Sequence, residues 1–452
     1  MSYPPISETA LNTKIKANAY EPYYNYKSPI DLYDIHKFTN GQPFEEFDEL
    51  RKNSPIYFQE PPEWDTEPGS WMLTSYKDIV EVSSNPSIYS SQIATGNLIT
   101  LGNPETRHPK LWQTSIDHML NLDGSFHLDL RKEHMPFFKP GYVDELHKKV
   151  EIKVSSLLDA IAKVGKCNLV KDISQQIPIF TLSEILGIPE ADRHKLATWM
   201  EFLELAQYLS AENLKQTTGN EEEMEVDPSV IELFENMVNE MFDYGKHILQ
   251  EKRNNPSNDL LSAIANAELD GHKLSQEYLD GSWLLIIFAG NDTTRNSISG
   301  AIKLLTEFPD QKNKLLNNLE LLPNFAQETI RMVSPVIHMR RTTKCETIIG
   351  NQKIGPGEKI IMWYGAANRD PSIFKNPHQF DIERDNAIKH LAFGLGRHTC
   401  IGKPVALMQL KEVYKQILTR FPDMKMDGDW KVAPNNFVHA IQEMPVSFTP
   451  EK

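Results

Sequence analysis

Apolar residues recur at three- and four-residue spacing over long stretches of this chain, which is the pattern of amphipathic helices. The clearest such stretches are Val143–Ile161, Val230–Lys252 and Tyr278–Phe308. Alternation typical of strands is confined to short segments, Trp71–Tyr76 and Glu346–Ile361. The pattern therefore predicts a mainly α protein with small β-sheets.

The helical pattern continues without a clear linker or an internal repeat, although 452 residues would allow several domains. Residues 1–40 are rich in Tyr, Pro and Asn and show no periodicity, so we predict an N-terminal arm followed by one large domain over residues 41–452. The Gly/Pro/Thr-rich stretch Ser90–His118 is predicted to be a substrate-binding loop, because long irregular loops in compact domains are usually functional. The acidic stretch Ala211–Pro228 is interpreted as a solvated loop.

Composition and charge exclude several classes of function. There are 47 Lys and Arg against 62 Asp and Glu, a formal net charge of −15, which disfavours broad binding to nucleic acid or to anionic membranes. No apolar run is long enough to span a bilayer, and the N-terminus lacks the features of a secretion signal. Three widely spaced cysteines cannot form a disulfide framework. We expect a soluble cytoplasmic protein without a membrane anchor.

The strongest chemical signal is the string Phe-Gly-Leu-Gly-Arg-His-Thr-Cys-Ile-Gly at residues 393–402. It places Cys400 between glycines at the start of a predicted helix. Backbone N–H groups and the helix dipole there favour the thiolate, which is the form of cysteine that binds iron. The glycines let the backbone approach a flat ligand closely.

This string resembles the heme-binding signature of the cytochrome P-450 superfamily, Phe-Gly-x-Gly-x-His-x-Cys-x-Gly, at every fixed position. The resemblance implies the P-450 fold, a helical prism with small β-sheets. It implies heme b with Cys400 as the axial thiolate ligand and with Phe393 and Gly394 beside the cofactor. It further implies O2 as a co-substrate and electrons that come indirectly from NAD(P)H.

A second motif is the helix pair Glu328 and Arg331, which lie three residues apart and so share one helix face. Taken alone, such a pair would be a surface ion pair worth about 0.3–0.5 kcal/mol. It resembles the Glu-x-x-Arg motif of the superfamily, with Arg384 as the third member. The resemblance implies a structural clamp near the proximal side of the heme.

A third motif, Ala-Gly-Asn-Asp-Thr-Thr at residues 289–294, interrupts an otherwise regular helical pattern with residues of low helix propensity. A local rule broken in this way is typical of a functional site. The motif resembles the oxygen-binding groove of the superfamily, where the helix bends to admit O2, and the resemblance implies that Ala289 and Gly290 lie beside the cofactor. By that resemblance Asp292 and Thr293 relay protons during O2 activation.

Donors for the heme propionates form a further group. His127 and Arg131 lie four residues apart on one helix face and resemble the His-x-x-x-Arg element of the superfamily. The sequence departs from the family just before them, where Asp123-Gly124-Ser125-Phe126 replaces Asp-Pro-Pro-x. By the same resemblance, Arg341 and His398 complete the set.

The helix after Cys400 indicates an electron-transfer partner. Residues 389–415 carry five basic residues and one acidic residue, a net charge of +4 on an acidic protein. Such a patch suits an acidic carrier such as a ferredoxin, served by its own reductase. The alternative is that these lysines only solvate the helix. The chain leaves no room for a flavin or iron–sulfur domain of its own.

The substrate is a small molecule for which two hypotheses stay open. The strings at residues 290–297, 338–341 and 436–438 resemble bacterial enzymes that hydroxylate terminal methyl groups, which implies a medium-chain alkane, fatty acid or terpenoid. The predicted binding loop instead offers Arg107, His108 and Trp112, and the helix before Gly290 offers Trp283. Polar donors beside tryptophan suit a sugar-like ligand, so we favour oxidative O-demethylation of a polar methyl ether, such as a methylated sugar, with release of formaldehyde.

A hypothesis of another class is a heme sensor without turnover. The presence of both Asp292 and Thr293 argues against it, because a sensor needs no proton relay.

Overall fold

The computed structural model describes residues 30–60, 69–92, 109–203, 228–269 and 271–452, apart from the side chains of residues 112, 228 and 230. The α-helices in this part of the chain are α1 (Phe44–Asn53), α2 (Tyr76–Ser84), α3 (Pro109–Thr114), α4 (Gly124–His134), α5 (Pro140–Ile161), α6 (Gln176–Leu186), α7 (193–203), α8 (Pro228–Asn254), α9 (Leu260–Asn266), α10 (Gln276–Glu307), α11 (Pro309–Asn317), α12 (Leu322–Val333), α13 (Tyr364–Ala367) and α14 (Lys403–Arg420). The prediction of a mainly α fold is confirmed.

The strands are short and lie in several small sheets. In chain order they are β1 (Ile56–Gln59), β2 (Ser70–Leu73), β3 (Tyr89–Ser90), β4 (Lys166–Asn168), β5 (Glu268–Leu269), β6 (His272–Lys273), β7 (His338–Thr343), β8 (Thr347–Ile349), β9 (Gln352–Ile354), β10 (Lys359–Trp363), β11 (Lys425–Met426), β12 (Lys431–Ala433), β13 (Ala440–Glu443) and β14 (Pro445–Ser447). The largest described sheet has the order β1-β2-β10-β7-β3, with β2 and β10 parallel and its other pairs antiparallel. Both segments with the alternating pattern thus contribute to it.

The 32-residue helix α10 runs through the core and organises the helices around it. It contacts α6, α8, α12 and α14. The Tyr414 hydroxyl on α14 donates a hydrogen bond to the Ile298 carbonyl on α10, at 2.7 Å. A Cβ at Gly281 would lie 1.8 Å from the Asp117 carbonyl oxygen, so glycine is needed where the segment after α3 crosses α10. The helix that carries the Asp292–Thr293 motif is therefore packed against several other helices.

The predicted arm at residues 1–40 is packed where the structure describes it. Leu32 and Phe38 are buried, and the Phe38 ring stacks on Trp363 of β10 with centroids 6.0 Å apart. The described part of the arm therefore packs against the domain, and the boundary at residue 40 stays a prediction. Residues 1–29 lie outside the described residues, so for them the arm remains a prediction.

The two predicted loops have different outcomes. In Ser90–His118, residues 93–108 lie outside the described part, while α3 shows that the end of this stretch is helical rather than irregular. The segment 211–227 also lies outside it, and Pro228 already begins α8. Of the helices that the structure describes, none combines the length and apolarity needed to cross a membrane.

Buried histidines should make the protein sensitive to acid. Burial lowers their pKa from 6.5 to about 3 for His118, His338 and His390, and to about 4 for His127, His134 and His439. Between pH 6.5 and these values the unfolded chain binds protons that the folded chain does not. The free energy of unfolding should therefore fall with falling pH in this window, by about 1.4 kcal/mol per pH unit for each such proton.

Urea unfolding at several values between pH 7 and pH 5 measures that slope. We expect His390→Gln to reduce the slope by close to one proton, whereas His36→Gln, at an exposed position, should leave it unchanged. Equal slopes for the wild type and His390→Gln would contradict this prediction.

Candidate active site

The Glu328–Arg331 pair lies in the core rather than on the surface. Both side chains are 0% exposed, and the Arg331 guanidinium donates two hydrogen bonds to the Glu328 carboxylate, each 2.7 Å long. Arg384 Nε donates to the same carboxylate at 3.0 and 3.2 Å. Arg331 also donates to the carbonyls of Asn368 and Pro377. The three predicted clamp residues are therefore brought together, and they tie α12 to the segment that leads to the cysteine loop.

The cysteine loop folds back on itself just before α14. The Cys400 N–H donates to the Phe393 carbonyl at 2.8 Å. Gly394 and Gly396 have φ values of +67° and +76°, which favour glycine, and a Cβ at Gly396 would lie 2.6 Å from the Ser83 carbonyl oxygen. These glycines let the loop present Cys400 at the N-terminus of α14.

Cys400 is an exposed residue, but surrounding protein atoms crowd its thiol. Burial raises the pKa of the thiol, against the opposing effects of the Gly402 backbone N–H, Arg131, and the backbone and charge of Lys403. Those donors are the ones that a thiolate needs, and a bound cation would complete the stabilisation of its charge. The donor set therefore fits a cysteine that would hold a metal.

The predicted propionate donors surround this loop. The His127 and His398 rings stack with centroids 4.2 Å apart, and Arg131 Nη2 donates to the Thr399 carbonyl at 2.6 Å. Burial, followed by Arg131, lowers the pKa of His127 to about 4, and burial with Arg341 lowers that of His398 well below 6.5. Both imidazoles are therefore neutral at physiological pH.

The same cluster has unused capacity to bind an anion. His127 is 1% exposed, and its Nδ1 atom has no hydrogen-bond partner. Arg341 is buried and donates to the carbonyl of its neighbour Arg340. A buried cluster with two arginines and an unpaired ring nitrogen fits the two carboxylates of a heme, so His127, Arg131, Arg341 and His398 would hold it.

One face of α10 is less buried than the rest of the helix. Ala289 is exposed and Gly290 and Thr293 are half-buried in a helix that is otherwise mostly buried. A Cβ at Gly290 would lie 3.1 Å from Leu182, so this glycine also permits the close approach of α6. The helix is continuous from Gln276 to Glu307, so both predicted residues lie within it.

The acid and the alcohol of this motif have specific partners. Asp292 is 8% exposed and accepts a hydrogen bond from Asn291 Nδ2 at 3.0 Å. The Thr293 hydroxyl lies 3.4 Å from the Ala289 carbonyl oxygen, a long hydrogen bond that a better acceptor can replace. Ser297 donates to the Thr293 carbonyl at 2.8 Å. A buried acid thus precedes a half-buried alcohol.

The candidate substrate residues do not form the predicted polar site in the described part of the chain. Trp283 is 1% exposed, its indole N–H donates to the Met241 carbonyl, and its ring packs against Trp199 and Tyr244. Because both its polar atom and its ring are already engaged, Trp283 is a core residue and has no face for a sugar. Arg107 and His108 lie outside the described residues, as does the Trp112 side chain.

Sequence reasoning missed an apolar group beside Ala289. The Phe288 and Phe437 rings stack with centroids 6.3 Å apart, and the Ile337 N–H donates to the Phe437 carbonyl at 2.8 Å. Val336 forms an isolated bridge with Val438. The half-buried rings of Phe288 and Phe437, from two distant segments, thus meet here, and the half-buried Val336 lies on the backbone bridge next to Phe437. The available signals were the position of Phe288 directly before the motif and the string at residues 436–438.

Comparisons with known proteins identify the family. A family model for cytochrome P450 matches residues 88–444. Linalool 8-monooxygenase of Pseudomonas putida is 30% identical over 423 residues, which cover 93% of this chain and 99% of that protein. A steroid C26-monooxygenase of Mycolicibacterium smegmatis is 29% identical over 423 residues, which cover 93% and 96%. A Mycobacterium marinum cytochrome P450 in complex with pseudoionone is 31% identical, with a TM-score of 0.82 and coverage of 94% of this chain and 100% of that one. This chain belongs to the cytochrome P450 family.

Membership fixes the class of chemistry. The protein is a heme-thiolate monooxygenase that uses heme iron ligated by a cysteine, O2 and electrons derived from NAD(P)H. The heme, when bound, supplies the activation of O2 and the oxidation of the C–H bond. The predicted fold, enzyme class and cofactors are confirmed.

Proposed function

We propose that this enzyme hydroxylates an unactivated methyl group of a branched, largely aliphatic molecule of the terpenoid class. The observation that carries the proposal is the stacked pair of Phe288 and Phe437 next to Ala289, with Val336 on the adjoining backbone bridge. Such aromatic rings bind a hydrocarbon chain through burial of apolar area. A methyl group held here lies beside the helix face that contains Thr293.

Relatives named for terpenoids and steroids support this substrate class. Linalool, the substrate in the name of the Pseudomonas putida enzyme, and pseudoionone, the ligand in the Mycobacterium marinum structure, are both branched acyclic terpenoids. The steroid C26-monooxygenases are named for a carbon of an aliphatic side chain. These names share a largely hydrocarbon terpenoid or steroid skeleton.

Within the site, each residue has a role that its surroundings support. Cys400 would hold the heme iron through its thiolate, and His127, Arg131, Arg341 and His398 would hold the propionates. Asp292 takes protons from solvent and passes them to the Thr293 hydroxyl, which delivers a proton to the oxygen substrate. The overall reaction consumes one substrate molecule, one O2, two electrons and two protons, and it gives one alcohol and one water.

An acidic ferredoxin-type carrier with its reductase supplies the electrons in this proposal. Lys389 and Arg397 are exposed close to the cysteine loop. Lys415 lies 3.5 Å from both Glu151 and Glu412, so its charge is already balanced. The docking surface is therefore smaller than the charge count predicts and is centred on the loop itself.

Oxidative O-demethylation of a methyl ether stays a prediction. It depends on Arg107, His108 and Trp112, whose side chains lie outside the described part of the structure. Trp283 cannot serve as its stacking surface, because this residue is in the core. The same catalytic residues would perform it, because oxidation of an O–CH3 group gives a hemiacetal that releases formaldehyde. Only the substrate distinguishes the two reactions.

An optical titration of the ferric protein distinguishes them. We expect acyclic terpenoids to produce a saturable high-spin shift, with weaker shifts from medium-chain alkanes and fatty acids and none from O-methylated monosaccharides. Phe437→Ala should weaken terpenoid binding by about tenfold through loss of apolar contact. Phe58→Ala, a half-buried phenylalanine on β1, is the matched control and should leave binding unchanged.

Turnover with NAD(P)H, ferredoxin and reductase completes the test. An alcohol product supports the proposal. A shift and formaldehyde with a methyl sugar, and none with terpenoids, would establish demethylation instead. Saturable binding without any product in a system that reduces the iron would favour the sensor hypothesis.

A further inference from the structure

Asp292 has an ionic neighbour on its own helix. Arg295 follows it by three residues, and the Arg295 Nη2 atom lies 3.6 Å from Asp292 Oδ1. The two side chains are 4% and 11% exposed. The same Oδ1 atom accepts the hydrogen bond from Asn291. A cation and an amide therefore converge on one oxygen of the carboxylate that precedes Thr293.

The burial of this pair requires an explanation, because the free energy needed to remove two charges from water exceeds the stabilisation that an exposed ion pair provides. A second ion pair on α10, Lys303 with Glu307, is more exposed than Asp292 with Arg295. Aspartate in mid-helix tends to turn its carboxylate toward nearby backbone groups. Two partners on one oxygen oppose that tendency and fix the direction of the carboxylate.

We propose that Arg295 is a positioning residue for proton delivery: it holds the Asp292 carboxylate in the orientation from which a proton passes to Thr293. The inference rests on the proposed role of Asp292 and Thr293. It adds the residue that fixes the orientation of the Asp292 carboxylate relative to Thr293. A proton from solvent binds a carboxylate oxygen of Asp292 and then moves to the Thr293 hydroxyl oxygen, as that hydroxyl gives up its own proton to the oxygen substrate. Arg295 keeps its charge throughout.

The ratio of alcohol product to hydrogen peroxide measures this positioning. Both outcomes consume two electrons and two protons, so the ratio reports where the protons arrive rather than how many are used. A small displacement of a catalytic group has a large effect on such a step, so Arg295→Gln should lower the product formed per NAD(P)H by about tenfold and raise peroxide accordingly. Arg295→Lys, which keeps the cation, should recover most of the product.

The matched control is Lys303→Gln, which removes a cation from an ion pair on the same helix and should leave the ratio unchanged. The solvent deuterium isotope effect on product formation should increase in Arg295→Gln but not in the control. In an Asp292→Asn background, Arg295→Gln should cause no further loss. Additive losses in the double variant would overturn the inference.

A readout without turnover tests the pair directly. Because a nearby cation polarises a carboxylate, the infrared difference spectrum of Arg295→Gln against wild type should contain shifted carboxylate stretching bands. Those bands should be absent when Asp292→Asn is compared with the Arg295→Gln/Asp292→Asn double variant. If the carboxylate bands do not shift in the first comparison, Arg295 does not act on Asp292.

The outcomes separate this inference from the proposed function. If Asp292→Asn and Thr293→Ala leave the product-to-peroxide ratio unchanged, the proton relay itself is wrong. If they lower it and Arg295→Gln does not, only the role of Arg295 is wrong. Should Arg295→Gln fail to fold, Asn291→Ala takes its place: it removes the other partner of the same oxygen and should lower the ratio in the same direction, and an unchanged ratio would count against the inference.

Discussion

Replacing Cys400 with serine is expected to abolish the thiolate–heme optical spectrum and all monooxygenation. A serine hydroxyl ionises far less readily than a thiol, and the backbone N–H groups of Gly402 and Lys403 that favour a thiolate cannot compensate for the difference. The absorption spectrum of the reduced, carbon monoxide-treated protein measures the first effect, and product formation measures the second. This is the largest single-residue effect expected in the protein.

The other two cysteines are the matched controls. Burial and the charge of Asp172 both raise the pKa of Cys167, to about 12, whereas Gly402, Arg131 and Lys403 oppose the effect of burial at Cys400. Cys345 lies between β7 and β8, outside the loop before α14. Cys167→Ser and Cys345→Ser should keep the thiolate spectrum. Retention of that spectrum in Cys400→Ser, or its loss in either control, would show that the ligand has been misassigned.

Replacing Glu328 with glutamine is expected to be the most destabilising conservative change in the core. It leaves Arg331 and Arg384 buried without their shared carboxylate, and breaking a buried pair in this way costs about 3–5 kcal/mol in the free energy of unfolding. Urea unfolding measures the loss. Glu320→Gln, at an exposed position shortly before α12, should change the free energy of unfolding by less than about 0.5 kcal/mol.

The damage should extend from the clamp to the cysteine loop. Arg331 donates to the Asn368 carbonyl, and the Asn368 side chain in turn accepts a hydrogen bond from the Leu391 N–H at 2.7 Å, just before the loop. We therefore expect Glu328→Gln to lower the heme content of the purified protein, whereas Glu320→Gln keeps it. A stable Glu328→Gln variant with full heme content would contradict the structural role of the clamp.

The sequence by itself determined the features that depend on local spacing. Apolar residues at helical period placed α5, α8 and α10, and alternation placed β2 and the strands β8 to β10. The glycines around Cys400 marked a loop that must approach other groups closely, as Gly396 does with Ser83. The i, i+3 spacing placed Glu328 and Arg331 on one face. Each of these inferences needs only residues within a few turns of one another.

The tertiary structure decided what is buried and which distant segments meet. The spacing of Glu328 and Arg331 describes a surface pair of a few tenths of a kcal/mol, and only the packing of α12 against residues 368–384 makes it a buried clamp. From the sequence alone, Trp283 could stack on a ligand, but in the folded protein the Trp199 and Tyr244 rings pack against it. Phe288 and Phe437 are far apart in the chain and form one surface only after folding. Spacing fixes which side chains share a face, whereas the energy and the role of that face depend on what packs against it.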